Sequence, residues 1–263
     1  MPAKPATVAV YLAHLADEGS KVSTIERRLC GIRYEHRVRG YPNALTGSEA
    51  IDRVIQGIRR RLGVAVTKKR PFMDVARVTS KLPDTLIGVR DRAILTLGFI
   101  CAFRRSELIA LDVSDLHEDP EGYRVHLRRS KTDQEGKGFW KPVPRAKDPA
   151  TCPVAAVQAW LARAGHTEGP LFRRILRGEH ATEKRLTGHS IATIVKQSTA
   201  RAGIDPSDFS SHSLRAGFVT SAAKAGSSIE SIMRQTGHKD PKSVIGYIRF
   251  ENLFDKSAAK DLL

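Results

Sequence analysis

The chain has 263 residues, 41% of them hydrophobic, which is enough for one large domain or two modest domains with real cores. Its 44 lysines and arginines outnumber 28 aspartates and glutamates, and the resulting formal charge of +16 predicts a polyanionic partner, most often nucleic acid. No apolar run approaches the roughly 18 residues of a membrane-spanning helix, and the first residues lack the apolar core of a secretory signal. Three widely spaced cysteines argue against a disulfide framework or a zinc site and favour a reducing cytoplasm.

The N-terminal region is predicted to be helical. Thr7 can cap a first helix, which Gly19 would end. Ser23 and Glu26 have the spacing of a capping box and would start a second helix. A third helix is expected from about Ser48, with its apolar residues at helical spacing.

Arginines of this region lie mostly off the apolar stripes of the predicted helices. Because a nucleic-acid backbone is bound through such cations, they are candidate DNA contacts. The candidates are Arg27, Arg28, Arg33, Arg37, Arg59 and Arg60.

A basic linker is predicted after these helices, because the stretch contains Gly63, Pro71 and a run of three cations. Lys68, Lys69 and Arg70 form that run and are further candidate DNA contacts. A basic linker without any DNA contact is the alternative.

The second region is predicted to be mainly helical with one small sheet. A helix, a break near 101–103 and a second helix from about Arg105 come first. Apolar residues then alternate in the stretch 122–145 around a Gly-rich segment, which is typical of an antiparallel hairpin or meander. Pro153 fits the first turn of the next helix, and Ser190 can cap the one after it. The remainder, from about residue 213, is expected to be helical with short breaks.

Common catalytic templates are missing: the sequence has no GK[ST] phosphate loop, no HExxH and no GxSxG, and acids that could hold a metal are scarce near the basic motifs. Cations combined with a tyrosine suit phosphoryl transfer on DNA. Arginines can bind the non-bridging oxygens of the phosphate, and a histidine can donate a hydrogen bond or exchange a proton. A lysine can protonate the leaving oxygen, and a tyrosine can attack phosphorus. This chemistry requires no metal or other cofactor.

Four segments occur in an order that resembles the signature of the tyrosine recombinases, the phage integrase family: AFRRSEL, HSLR, TGH and a following tyrosine. The resemblance covers most of the chain, from about Thr7 onward. It implies that Arg104 is the first catalytic arginine, with Arg105 as the rival, and that Glu107 supports Arg104 or a histidine. Cys101 and Ala102 replace the family's Thr-Gly, and the alanine is expected to cost little because it still allows close packing.

The other motifs supply the remaining site residues by the same resemblance. HSLR gives His212 and Arg215, and TGHKDPKSVIGY gives His238 and the nucleophile Tyr247. Lys131, in RRSKTD, matches the family's β-turn lysine, which protonates the leaving oxygen. Two other lysines of the hairpin, Lys137 and Lys141, stay open as alternatives.

The resemblance implies a mainly α fold with a small antiparallel β-sheet, in a two-domain recombinase architecture. Residues 1–66 would form a helical core-binding (SAM-like) domain, 67–76 the basic linker and 77–263 the catalytic domain. The two domains would close on the duplex as a C-shaped clamp. The family usually has an extra helix or more before the stretch that resembles PATVAVYLAHL, so a naturally short N-terminus or a misplaced gene start is expected.

The activity implied is that of a site-specific DNA recombinase or integrase, which cleaves and rejoins strands through a 3′-phosphotyrosine intermediate. The expected partners are double-stranded DNA and three further copies of the chain, as a homo-tetramer on two DNA sites, with room for accessory DNA-bending factors and no membrane. The expected location is the cytoplasm, at the nucleoid. The last residues, FENLFDKSAAKDLL, are predicted to form an amphipathic helix that docks on a neighbouring protomer or on its own chain.

Two alternatives stay open. A strand relaxer similar to type IB topoisomerases would use the same chemistry, but the small size and the two-domain layout argue against it. A catalytically impaired integrase or a non-enzymatic DNA-binding protein would keep the basic surface without cleavage. The complete set of cations and the tyrosine argue against that reading.

Overall fold

The structure is a computed structural model that describes residues 2–64, 70–72, 74–128 and 138–247. It divides into two compact units, Met1–Lys68 and Lys69–Leu263. Each unit has a hydrophobic core of its own. Fold class agrees with the prediction, because helices dominate both units and the described strands form small antiparallel sheets.

The first unit contains α1 (Pro5–Asp17), α2 (Val22–Val38) and α3 (Glu49–Leu62). Its core includes Leu12, Ile25 and Ile51, each with no exposed surface. Both predicted caps of the first two helices are wrong. Thr7 lies inside α1, since Pro5 occupies the first turn, where its missing N–H costs nothing. Ser23 lies inside α2, which begins one residue earlier and has no side-chain cap.

Eight helices of the second unit are described. They are α4 (Val75–Ser80), α5 (Leu86–Ile100), α6 (Arg105–Ala110), α7 (Pro153–Ala164), α8 (Gly188–Arg201), α9 (His212–Lys224), α10 (Ile229–Thr236) and α11 (Pro241–Ile245). Helix α5 is buried on nearly all sides and packs against α4, α7, α8 and α9. The predicted cap of α8 is wrong by three residues, because the hydroxyl of Thr187 accepts the Ser190 N–H.

The predicted hairpin belongs to a three-stranded antiparallel sheet with strand order β1 (Leu116–Asp119), β2 (Gly122–Leu127) and β3 (Phe139–Pro144). The structure also contains a two-stranded sheet of β4 (Arg173–Leu176) and β5 (His180–Arg185), where a single sheet was expected. These strands are mostly polar and half-exposed. They therefore lack the apolar alternation that signals a strand.

Part of the predicted basic linker is attached to the second unit. The N–H groups of Arg70 and Phe72 donate to the carbonyls of Asp208 and Ser213, at 2.7 and 2.8 Å. Phe72 is buried in the core of this unit. Helix α4 then begins at Val75, inside the stretch that was expected to be linker.

No helix among the described residues is long and apolar enough to cross a membrane. The predicted C-terminal amphipathic helix, with Leu253, Phe254, Ala258 and Leu262, lies outside the described residues. So do two of the predicted DNA contacts, Lys68 and Lys69.

Candidate active site

The break between α5 and α6 presents Arg104. Arg104 is the N-cap residue of α6, and Glu107 in the first turn accepts both its backbone N–H (2.9 Å) and its guanidinium (2.6 Å). Glu107 is nearly buried, whereas the Arg104 side chain keeps 19% of its surface exposed. The carboxylate therefore fixes the arginine and leaves part of it accessible to a ligand. The rival, Arg105, is exposed and lies against Gly188.

Ala102 turns the chain between the two helices in a left-handed conformation, with φ of 47°. An alanine in this region costs about 1 kcal/mol more than a glycine. The family's glycine at this position thus has a backbone reason, which adds to the packing reason that the sequence suggested. The Ala102 carbonyl points to the site and accepts from the Arg215 guanidinium at 2.7 Å.

Arg215 lies in the interior of α9 and is only 2% exposed. One of its terminal nitrogens donates to the carbonyls of Ala102 (2.7 Å) and Thr236 (2.9 Å), and the other contacts Nε2 of His238 at 2.8 Å. Burial and the positive charge of Arg104 lower the pKa of Arg215 to about 10, while interactions with Glu107 and the Tyr247 side chain raise it. The guanidinium therefore stays charged at neutral pH in the middle of the site.

His238 follows the C-terminus of α10, which Gly237 ends in a left-handed conformation that glycine adopts without strain. A guanidinium can only donate, so Nε2 of His238 accepts from Arg215 and the proton sits on Nδ1. Nδ1 then donates to the Thr236 hydroxyl at 2.7 Å, and that hydroxyl donates to the Ile232 carbonyl. Desolvation, followed by the charges of Arg215 and other nearby cations, lowers the pKa of His238 to about 4.

Tyr247 lies just after α11, and its ring centre is 5.7 Å from that of His238. Its backbone is fixed on both sides, since its N–H donates to Val244 and its carbonyl accepts from the Thr220 hydroxyl of α9. Its side chain also interacts with the Arg215 guanidinium. The tyrosine and the central arginine are therefore neighbours.

His212 begins α9, one turn before Arg215, and is exposed. Desolvation and the positive charges of Arg105, Arg215 and Arg104 lower its pKa. This histidine therefore faces the same cluster of cations as the other predicted site residues.

Of the predicted site, the structure brings together Arg104, Glu107, His212, Arg215, His238 and Tyr247. Lys131 lies outside the described residues, as does its alternative Lys137. The other alternative, Lys141 of β3, is buried beside the site rather than exposed. Thr236 was missed as a functional residue, although the T of TGH was visible; only the fold shows that its hydroxyl orients the imidazole.

A cavity of about 370 Å³ opens beside these residues, and its lining is strongly cationic. Arg104, Lys141, Arg234, His238 and Lys239 supply its basic groups, with Glu107 as the acid. Within the described residues no group of three or more His, Cys, Asp or Glu side chains could hold a metal ion. The arrangement can bind an anion of phosphate charge next to a phenol.

Candidate DNA contacts of the first unit differ in how they are paired. Arg27, Arg28, Arg33, Arg37, Arg59 and Arg60 are all exposed. Arg59 binds Glu26 at 2.7 Å, and Arg33 lies 3.8 Å from Asp52. Arg28 donates to the Tyr11 hydroxyl, and Arg37 lies over the Tyr34 ring. These contacts are with neutral groups, so they do not neutralise the charge of either arginine. In the second unit, Arg70 is exposed as well.

Comparison with known proteins agrees with this geometry. Residues 73–252 match the model of the phage integrase family. The chain is 37% identical to an integrase/recombinase XerD homolog of Selenomonas ruminantium, over 98% of this chain and 77% of that protein.

Solved structures give the same result for the fold. A XerH site-specific recombinase bound to a palindromic difH substrate superposes with a TM-score of 0.67 at 14% identity, over 93% of this chain and 68% of that one. A lambda integrase tetramer bound to a Holliday junction gives a TM-score of 0.65 at 15% identity, over 98% of this chain and 68% of that chain. The chain belongs to the phage integrase family and is a tyrosine recombinase, an enzyme that breaks and rejoins DNA strands.

Proposed function

We propose that Tyr247 is the nucleophile of this recombinase and that Arg104, Arg215, His212 and His238 bind the scissile phosphate. The phenol oxygen of Tyr247 attacks phosphorus, the bond from phosphorus to the 5′-oxygen breaks, and a 3′-phosphotyrosine joins protein and DNA. The 5′-hydroxyl of a partner strand later reverses the step. The energy of the broken bond is kept in the covalent intermediate, so rejoining needs no separate energy source.

One observation carries this proposal: the Arg215 guanidinium contacts His238 at 2.8 Å and interacts with the Tyr247 side chain, and the His238 and Tyr247 rings lie 5.7 Å apart. A phosphate that binds Arg215 therefore lies next to the tyrosine. Arg104, held by Glu107, supplies a second guanidinium for the same anion. Two guanidiniums in a partly desolvated site stabilise the charge that grows on the non-bridging oxygens.

In this proposal Lys131 protonates the leaving 5′-oxygen, as its resemblance to the family's β-turn lysine implies. Glu107 positions Arg104, since both of its oxygens bind that residue. Thr236 keeps His238 in the Nδ1–H tautomer. Nε2 then carries no proton, so when Arg215 turns to the phosphate it can accept the proton that the Tyr247 phenol loses on attack. The resulting imidazolium can donate to the phosphate.

Double-stranded DNA is the proposed substrate, and the exposed arginines of the first unit together with Arg70, Lys68 and Lys69 are its proposed backbone contacts. The net charge of +16 supports a polyanionic partner. The similar XerH and lambda integrase chains are bound to DNA in their structures, the latter as a tetramer on a Holliday junction. We extend the tetramer on two sites to this chain, with residues 1–66 as the core-binding domain, 77–263 as the catalytic domain and the nucleoid as the place of action.

The test uses a nicked duplex that carries the DNA flanking the gene, in the presence of EDTA. Wild-type protein is expected to form an adduct that survives SDS, because the nick lets the cleaved 5′ fragment diffuse away. Tyr247→Phe keeps the ring but lacks the nucleophile and is expected to form none. Tyr41→Phe is the matched control, since Tyr41 is 43% exposed and lies in the first unit.

Other outcomes separate the alternatives. Retarded DNA without an adduct from any variant would indicate a DNA-binding protein that does not cleave. An adduct from Tyr247→Phe would mean that another residue is the nucleophile. Relaxation of supercoiled DNA without strand exchange between two sites would indicate a topoisomerase-like activity.

A further inference from the structure

Lys141 is a buried cation that the mechanism above does not use. It lies on β3, is 1% exposed, and is among the largest fully buried side chains described. Its ammonium group faces the Phe103 ring at 5.1 Å and the Phe139 ring at 5.8 Å. Lysine is almost never fully buried unless its charge is paired, because desolvating an ammonium group is costly.

The ammonium group joins two segments of the site. It donates to the carbonyl of Cys101 and to the carbonyl of Gln235, both at 2.6 Å. Cys101 belongs to the loop that presents Arg104 (residues 101–104, the Arg104 loop). Gln235 belongs to the helix end that presents His238 (residues 235–238, the His238 turn).

Arg215 makes the same connection one residue further along both segments. It donates to the carbonyls of Ala102 and Thr236, at 2.7 and 2.9 Å. Two successive carbonyls of the Arg104 loop are thus bridged to two successive carbonyls of the His238 turn, one pair by lysine and one by arginine. The Gln235 side chain adds a third connection, because its amide donates to the Ile100 carbonyl at 3.0 Å.

We propose that Lys141 is a positioning residue for strand cleavage: it holds the Arg104 loop against the His238 turn, so that Arg215 can shift toward the scissile phosphate while the two segments stay together. In this structure Arg215 contributes to this connection. When Arg215 binds a phosphate, its carbonyl contacts compete with the new ones. Lys141 does not bind the phosphate in this proposal, so its two carbonyl contacts then hold the Arg104 loop and the His238 turn together. The inference rests on the proposed roles of Arg104, Arg215 and His238.

Burial supports a functional rather than a stabilising role. It is the main reason why the pKa of Lys141 falls to about 8; the nearby Arg215 and Arg104 lower it further, and Cys101 and Glu107 raise it. Keeping this ammonium charged therefore costs folding free energy. The same charge adds to the positive field around the cavity that Arg104 and His238 line.

The experiment compares Lys141→Met, which keeps length and volume, with Lys141→Arg, which keeps the charge and the donors. Lys147→Met, at an exposed lysine shortly after β3, is the matched control. Single-turnover adduct formation is measured at saturating protein on the nicked duplex described above, and the Kd for the intact duplex is measured separately. Lys141→Met is expected to slow adduct formation about 100-fold, the cost of a misplacement of about 1 Å. Its Kd should stay within about twofold, and Lys141→Arg should recover most of the rate.

A second readout does not depend on cleavage. Amide hydrogen exchange without DNA is compared at Ala102 and Gly237, whose N–H groups bond to Phe99 and Met233 at the two helix ends. Lys141→Met should raise exchange there about tenfold, and Lys147→Met should not. If wild type forms no adduct, the proposed function fails, and exchange still decides whether Lys141 bridges the segments. Unchanged exchange, an unchanged cleavage rate, or a rate loss matched by an equal loss of affinity would overturn the inference.

Discussion

At the scale of single residues, His238 is a neutral imidazole in a cationic environment. Desolvation and then the charges of Arg215, Arg104 and Lys141 lower its pKa to about 4, from an ordinary value near 6.5. Arg215 and Thr236 occupy both ring nitrogens, which fixes the tautomer as well as the orientation. At neutral pH the Arg215 guanidinium, with its pKa of about 10, stays charged, and His238 beside it is left as a neutral proton acceptor.

This environment predicts a pH dependence of stability. Between pH 6.5 and about 4 the unfolded chain protonates His238 and the folded chain does not, so the free energy of unfolding contributed by this residue falls as the pH falls. His238→Gln cannot titrate and should show a shallower loss over the same range. Urea unfolding of both proteins at several pH values measures the difference in slope, and equal slopes would contradict the assigned pKa.

At the scale of secondary structure, α9 carries His212 and Arg215 and must approach another segment closely. A Cβ atom at Gly217 would lie 1.8 Å from the carbonyl oxygen of Phe72, which is closer than any real contact. The segment before α4 therefore lies directly on α9, where the Phe72 N–H also donates to Ser213. Glycine at this position has a packing reason that outweighs its low helix propensity.

Replacing Gly217 with alanine is expected to destabilise the protein by about 2 kcal/mol or more, because the backbone of Phe72 must move away from α9. Gly31→Ala is the matched control, since Gly31 also lies inside a helix but has nothing within 4 Å of its added Cβ. That substitution should stabilise by about 0.5–1 kcal/mol through helix propensity alone. Thermal or urea unfolding compares the two, and a stabilising effect of both would refute the close approach.

At the scale of the whole molecule, the two units have separate cores and divide near residue 68. All described residues of the candidate site belong to the second unit. The first unit contributes exposed arginines but none of the site residues. In the proposed function, the chemistry and many of the DNA contacts therefore belong to different parts of the chain.

A fragment of residues 69–263 is expected to fold cooperatively by itself and to keep adduct formation on the nicked duplex at high protein concentration. Its DNA affinity should be weaker and less salt-dependent than that of the full chain, since each lost phosphate contact removes about 0.9 from the slope of log K against log salt. Circular dichroism on heating and binding titrations at several salt concentrations measure both properties. A fragment that fails to fold, or one whose salt slope equals that of the full chain, would contradict this division.

The amino-acid sequence by itself determined the family, the chain order of the site motifs and the main helices, because helical periodicity and the spacing of AFRRSEL, HSLR and TGH are local properties. It also predicted the hairpin of β2 and β3, where apolar residues alternate. It missed β4 and β5, whose residues are mostly polar. It also misassigned helix caps, because a residue type that can cap a helix does not fix where the helix begins: α2 has no side-chain cap, and α8 is capped by Thr187.

Only the tertiary structure decided which side chains meet. Lys141 was one of three candidate lysines in a hairpin, and nothing local distinguishes an exposed lysine from a buried one. The Thr236 hydroxyl, the Ala102 carbonyl and the close contact of Gly217 with Phe72 likewise depend on segments far apart in the chain. Burial and hydrogen bonding between distant segments are set by packing, which residue spacing alone does not encode.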